Sequence, residues 1–172
     1  MVIEDEPDIR ELVRINLELD GYRVVMAVDG AEGLRAVERS RPDVIILDVM
    51  MPAVDGWQVL TELKSSSDEL AAVPVLMLTA RTDTMDRLRG GIEGALRYLT
   101  KPFSPVELRD AVHDALSGAP EPQRRRQVQQ ESLSELARVE RGQSGAPLVD
   151  PAAARPHLSL SLIHISEPTR PY

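Results

Sequence analysis

Five residues far apart in the chain have the chemistry of one polar site: the adjacent acids Glu4 and Asp5, the carboxylate of Asp48, the hydroxyl of Thr79 and the amine of Lys101. Asp48 is the most telling. It ends the apolar run Val44-Ile45-Ile46-Leu47, and burying an uncompensated carboxylate is unfavourable by roughly several kcal/mol. Carboxylates gathered within about 5 Å raise one another's pKa unless a cation intervenes. A hard, oxygen-seeking Mg²⁺ (or Mn²⁺) suits a few carboxylates, a carbonyl and waters, and Lys101 adds a fixed positive charge. A carboxylate nucleophile, a divalent ion, a lysine and a hydroxyl make a minimal kit for phosphoryl transfer to an aspartate.

The elements that must bring these residues together are legible in the hydropathy pattern. Val2-Ile3 opens a short strand. Pro7 suits a first helical turn, Ile9, Leu12, Val13, Asn16 and Leu19 follow at helical spacing, and Gly21 ends that helix. Residues 22–28 read as a second strand, and Asp29 caps a small helix with Leu34 and Val37 inward. The runs 44–48 and 74–80 have the continuous apolar character of strands buried on both faces. Helices are expected at 57–66 and 82–91, and a strand at 96–100. Ser104-Pro105-Val106-Glu107 is a capping box for a helix carrying Val106, Ala111, Val112, Ala115 and Leu116. Five strands alternating with five helices predict a parallel sheet covered on both faces. In such sheets functional groups gather beyond the carboxyl ends of the strands. Glu4-Asp5, Asp48, Thr79-Ala80 and Lys101 all stand at such ends.

Composition narrows the function classes. The 172 residues carry a net charge of −8, which argues against broad, sequence-independent binding to nucleic acid or anionic membrane. There is no cysteine, hence no disulfide framework or thiolate chemistry, in keeping with a reducing cytoplasm. No apolar run approaches the roughly 18 residues of a membrane span, so a soluble, cytoplasmic protein without membrane contact is expected. Trp57 reads as helix packing. Residues 118–159 read as a linker, able to form a polar helix over 124–141 with a thin stripe of Val128, Leu136 and Val139. Arg124 to Arg126 are expected on its solvated face. Leu160 to Arg170 resembles a translated sequencing-library adaptor, so 160–172 is read as a non-native tail.

The stretches IEDEP, VIILDVMMPAVDGWQVL, VPVLMLTA and YLTKPF occur in this order over residues 1–117. Together they closely resemble the receiver domain of bacterial two-component response regulators. The resemblance implies a flavodoxin-like, doubly wound (βα)5 fold with strand order 2-1-3-4-5, and Asp48 as phospho-acceptor. It further implies that Asp5, Asp48 and the Met50 backbone carbonyl bind Mg²⁺ directly, with Glu4 acting through a metal-bound water. Lys101, Thr79 and the Ala80 backbone N–H would bind the phosphoryl group, and the Lys101–Pro102 peptide would be cis. Thr79 and Tyr98 would form a switch that remodels the face of the fourth helix, fifth strand and fifth helix. Met50 and Arg81 match positions that tune dephosphorylation. The implied partners are a sensor histidine kinase or phosphotransfer protein, and an output domain past the chain's end, DNA-binding in many relatives. A phosphorylation-dependent homodimer is a further state, although Leu96-Arg97 replaces the acids that serve one dimer mode. The first strand begins later than in relatives and is read as truncated.

Two rival classes fit the residues less well. A haloacid dehalogenase-type phosphatase needs a second Asp two residues after the nucleophile, where this chain has Met50. A pseudo-receiver or flavodoxin-like binding module lacks the acid pair, the acceptor or the lysine, and all are present here. The expected protein is therefore not an enzyme beyond promoting its own phosphorylation and dephosphorylation.

Overall fold

Short runs of β-branched and aliphatic residues build the centre of the molecule. The computed structural model describes residues 1–80, Leu88, Gly91, 94–117 and 121–141. Val2–Ile3 (β1), Met26–Ala27 (β2), Ile45–Asp48 (β3), Val75–Thr79 (β4) and Arg97–Thr100 (β5) form one parallel sheet ordered β2-β1-β3-β4-β5. The helices are Pro7–Leu19 (α1), Gly30–Ser40 (α2), Gly56–Lys64 (α3), Asp68–Ala71 (α4), Pro105–Ser117 (α5) and Glu121–Glu140 (α6). This is the doubly wound, flavodoxin-like order that the resemblance to receiver domains implied.

Alternation along the strands feeds two cores. Ile45 and Leu47 pack with Val37, Val59 and Leu60 from α2 and α3. Val44 and Ile46 turn the other way, onto Val13 and Leu17 of α1 and Leu108 and Val112 of α5. Both sheet faces are thus covered, which is why the central strands read as unbroken apolar runs.

Several boundaries differ from expectation, each for a local reason. The second strand shrinks from 22–28 to Met26–Ala27, because β1 offers only two residues for pairing and the ladder ends where Val2 N–H donates to Val25 O at 2.9 Å. In α1 the inward stripe is Ile9-Val13-Leu17, at i, i+4, i+8, while Leu12 and Leu19 face solvent. In α5 it is Leu108, Ala111, Val112 and Ala115, and Val106 and Leu116 are exposed. The one-turn α4 had no counterpart in the sequence reading; Lys64 Nζ closes it by donating to Ala71 O (2.9 Å) and Val73 O (2.7 Å). The helix expected at 82–91 lies outside the described residues, except that Leu88 and Gly91 are helical.

The linker helix is longer at its start than expected, and it is docked. Arg124 donates to Asp114 O (2.8 Å) and Ala115 O (2.6 Å), satisfying carbonyls near the end of α5. The expectation of a solvated face therefore fails for Arg124, which is half-buried, and holds for the exposed Arg126. Further along, Ser132 and Glu135 are buried. Gly91 admits that contact, because a Cβ there would lie 1.9 Å from Ser132 Oγ.

Met1 continues the central ladder: its carbonyl accepts from Ile46 N–H at 2.9 Å and its ammonium donates to Val44 O at 2.8 Å. Burial pushes that ammonium down from 8.0 to about 6, against a smaller opposing pull from Asp43. The unfolded chain then holds more protons than the folded one between about pH 6 and 8, so stability rises with pH across that window. Acetylating the amino group removes the titration and keeps one N–H for Val44. Between about pH 5.5 and 8.5 the free-amino protein should gain about 2 kcal/mol relative to the acetylated one in urea denaturation. Parallel curves would show that the ammonium is not held in the sheet.

Candidate functional site

Strand register places the chemistry. Ile3 pairs with Leu47, so Glu4 and Asp5 emerge from β1 level with Asp48 at the end of β3. Asp48 pairs with Leu78, and Thr79 with Thr100, which brings Thr79 and Lys101 to the same edge. The Lys101 N–H donates to Thr79 O at 2.7 Å, and the Lys101–Pro102 peptide is cis.

At that edge the Lys101 ammonium lies between carboxylates, 2.8 Å from Glu4 Oε2, 3.2 Å from Asp48 Oδ1 and 3.7 Å from Glu6 Oε1. Glu4 has no solvent exposure, Asp48 is 2% exposed and Thr79 1%. Glu4 Oε1 also accepts from Glu6 N–H at 3.2 Å, and Asp48 Oδ1 from Met50 N–H at 3.3 Å. Burial pushes the Glu4 carboxyl up to about 7, assisted by the Asp48 charge and opposed by the Lys101 bond. Burial likewise raises Asp48, against the attraction and hydrogen bond of Lys101. For Lys101, burial acts downward, but its bond to Glu4 and the charges of Asp48 and Glu4 outweigh it and raise the amine.

One ammonium facing Glu4, Asp48 and the nearby Asp5 leaves the cluster short of positive charge. Carboxylate oxygens of Glu4, Asp5 and Asp48 lie within 4.8 Å of one another. Asp5 Oδ1 is buried without a hydrogen-bond partner among the described residues. An orphaned anionic oxygen beside two further carboxylates is a donor set that fits a hard divalent cation.

The loop after β3 holds Asp48 from the main-chain side. Gly56 N–H donates to Val49 O at 3.0 Å, and a Cβ on Gly56 would stand 2.2 Å from Asp48 O. Only glycine lets α3 start that close. Asp55 caps the helix, accepting from Gln58 N–H at 2.9 Å, while Gln58 Oε1 accepts from Asp55 N–H.

Of the remaining residues singled out in the sequence, Met50 and Ala80 are exposed beside the site. Tyr98 is half-buried on β5, its ring 6.4 Å from that of the buried Trp57. Arg81 lies outside the described residues. Sequence reasoning missed Glu6 as a third neighbour of Lys101 and Arg10 altogether. Arg10 Nη1 donates to the Glu4 and Asp5 carbonyls at 2.7 and 3.1 Å. Nothing in the residue types announces either contact, since Arg10 acts on backbone carbonyls and Glu6 meets Lys101 only through the fold.

Residues 1–113 match the family model of the response regulator receiver domain, and the chain belongs to that family. Receiver domains are the phosphorylation-regulated modules of two-component systems. Over 116 residues the chain is 43% identical to the "Probable transcriptional regulator ycf27" of Porphyridium aerugineum, covering 67% of this chain and 47% of that one. It is 45% identical over 108 residues to the DNA-binding dual master transcriptional regulator RpaA of Synechocystis, covering 63% and 44%. The chain thus spans about half the length of these relatives. Among solved structures, the chemotaxis protein CheY4 of Vibrio cholerae superposes with a TM-score of 0.64 at 34% identity, over 67% of this chain and 95% of that one. Among the described residues no helix is long and apolar enough to cross a membrane.

The raised Glu4 carboxyl has a measurable consequence. Its folded value of about 7 lies above the ordinary 4.5, so the folded state holds the extra proton between those values and stability falls as pH rises through them. Glu4→Gln removes this titration. Going from about pH 4.5 to 7.5, the unsubstituted protein should lose about 2–3 kcal/mol relative to Glu4→Gln. A constant difference between the two denaturation curves would contradict the buried, protonatable Glu4.

Proposed function

We propose that this receiver domain takes a phosphoryl group onto Asp48 in a Mg²⁺-dependent reaction and changes the surface around β5 in response. The observation that carries this reading is the buried Asp48 carboxylate, 3.2 Å from Lys101 Nζ and clustered with Glu4 and Asp5. Asp48 Oδ1 is engaged by Met50 N–H and Lys101, so attack is assigned to Oδ2. The new bond joins Oδ2 to phosphorus, and the bond to the donor breaks with its electrons on the leaving group. Lys101 moves from carboxylate to phosphoryl oxygens as charge transfers to them. Thr79 and the Ala80 N–H supply further donors at the same edge. A divalent cation held by Asp5, Asp48 and the Met50 carbonyl, with Glu4 acting through water, supplies charge neutralisation when bound.

Thr79 and Tyr98 are the proposed switch. Thr79 ends β4 at the site, and Tyr98 lies on the neighbouring β5, level with Met77 and against Trp57. Drawing Thr79 toward a phosphoryl group frees space for Tyr98, shifting an existing equilibrium. Met50 and Arg81 are proposed to tune hydrolysis of the acyl phosphate. The donor is a sensor histidine kinase or phosphotransfer protein of the cytoplasm. The output is an attached domain, DNA-binding by analogy with the regulators matched above, with phosphorylation-dependent dimerisation as a second consequence. On this reading the domain turns over no substrate beyond its own acyl phosphate.

Incubation with acetyl phosphate and Mg²⁺ should add about 80 Da, one phosphoryl group, to the intact protein. The adduct should vanish with EDTA and in Asp48→Asn. An unchanged mass under conditions that label a control receiver overturns the reading, and a persisting adduct in Asp48→Asn moves the acceptor elsewhere.

A further inference from the structure

The bend that carries Glu4 and Asp5 has an unusual support. The last ladder bond of β1 toward β2 is Glu4 N–H to Ala27 O at 3.2 Å. Beyond it the chain turns into α1 at Pro7, and the carbonyls of Glu4 and Asp5 leave the sheet. Backbone carbonyls that leave a strand's ladder need other partners. Here one nitrogen serves both: Arg10 Nη1 lies 2.7 Å from Glu4 O and 3.1 Å from Asp5 O. Arg10 is itself fixed in α1, its N–H donating to Glu6 O at 3.0 Å.

We propose that Arg10 is a positioning residue for the cation site: by tying these two carbonyls to α1 it keeps the Asp5 carboxylate aimed into the pocket. The proposal rests on reading Glu4, Asp5 and Asp48 as a cation site. The side chain held in this way is the one that needs it. Asp5 Oδ1 has neither a hydrogen bond nor an ion pair among the described residues to fix it, whereas Glu4 is ion-paired with Lys101 and accepts from Glu6 N–H, and Asp48 is ion-paired with Lys101 and accepts from Met50 N–H. With its carboxylate oxygen unbonded, Asp5 depends on its backbone for direction. The guanidinium does this through carbonyls and, among the described residues, bonds to no carboxylate of the cluster. It therefore orders the ligand without taking the cation's place.

The charge of Arg10 makes the proposal decidable. A cation close to an acidic pocket repels Mg²⁺, so as a mere charge its removal should tighten metal binding. As a positioning group its removal should weaken binding, since supporting contacts behind metal ligands are typically worth 10–100-fold in affinity. Isothermal titration of Mg²⁺ into the full chain compares the unsubstituted protein, Arg10→Met, Arg10→Lys and Asp5→Asn, with melting temperatures recorded alongside. Arg10→Met, which keeps the apolar stem, should bind Mg²⁺ about 10-fold more weakly, and Arg10→Lys, which keeps a donor, should recover most of the loss. The Mg²⁺ concentration giving half-maximal labelling by acetyl phosphate should rise with it, with little change in the rate at saturating Mg²⁺. Unchanged or tighter binding in Arg10→Met overturns the proposal, as does equal weakening in Arg10→Lys and Arg10→Met. Should Arg10→Met fail to fold, Arg10→Gln, which removes the charge and shortens the donor's reach, still decides: binding about tenfold weaker supports positioning, and unchanged or tighter binding opposes it. Absence of Mg²⁺ binding in the unsubstituted protein itself overturns the cation site and this proposal together, whereas binding lost in Asp5→Asn but not in Arg10→Met removes Arg10 alone.

Discussion

A single ammonium holds the carboxyl edge of the sheet together. Lys101 Nζ reaches Glu4 and Asp48, two of the most deeply buried acids in the described structure. Neither carboxylate could stay ionised there without it, because charge transferred from water into protein must be compensated nearby. Strand pairing between β1 and β3 and between β4 and β5 sets the lysine and the acids at one level. The carbonyl of Thr79 anchors the lysine's backbone, and the close approach of Gly56 anchors that of Asp48. Compensation is partial: Glu4 stays high in pKa, and an oxygen of Asp5 remains unbonded. That deficit is what suits the pocket to a cation and then to a phosphoryl group.

The layers of the fold were readable from sequence because the central strands are buried on both faces. Ile45–Asp48 and Val75–Thr79 announce themselves as apolar runs ending in polar residues, which indicates a covered parallel sheet; the order 2-1-3-4-5 came from the resemblance to receiver domains and not from the pattern. Helix faces were less legible. In α1 several apolar side chains surround the axis, and only the docked position of the helix selects Val13 and Leu17 over Leu12 and Leu19. In α5 the missed Leu108 lies on the same stripe as Ala111, Val112 and Ala115, while Val106 and Leu116 flank it. The second strand could not be bounded from its own β-branched residues, since its length is set by how much of β1 there is to pair with.

The candidate site divides in the same way. Its acids and lysine were visible because carboxylates at the ends of apolar runs are conspicuous. The groups that hold them were not, because they act through backbone atoms. Arg10 bonds to two carbonyls, and Gly56 is chosen by the space beside Asp48 O. Neither leaves a mark in residue type. Arg124 is a related case: in sequence it is one of three consecutive arginines, yet in the structure it caps α5 and seats the linker helix.

If one positive charge governs this edge, a divalent cation should be able to stand in for the lysine. Melting of Lys101→Met, with and without Mg²⁺, measures this most directly. Without metal the variant should melt well below the unsubstituted protein, since the carboxylates lose their compensation. Saturating Mg²⁺ should then raise its melting temperature by more than it raises that of the unsubstituted protein, because more charge remains to be neutralised. An equal or smaller rise, or a variant as stable as the parent in EDTA, would contradict the account.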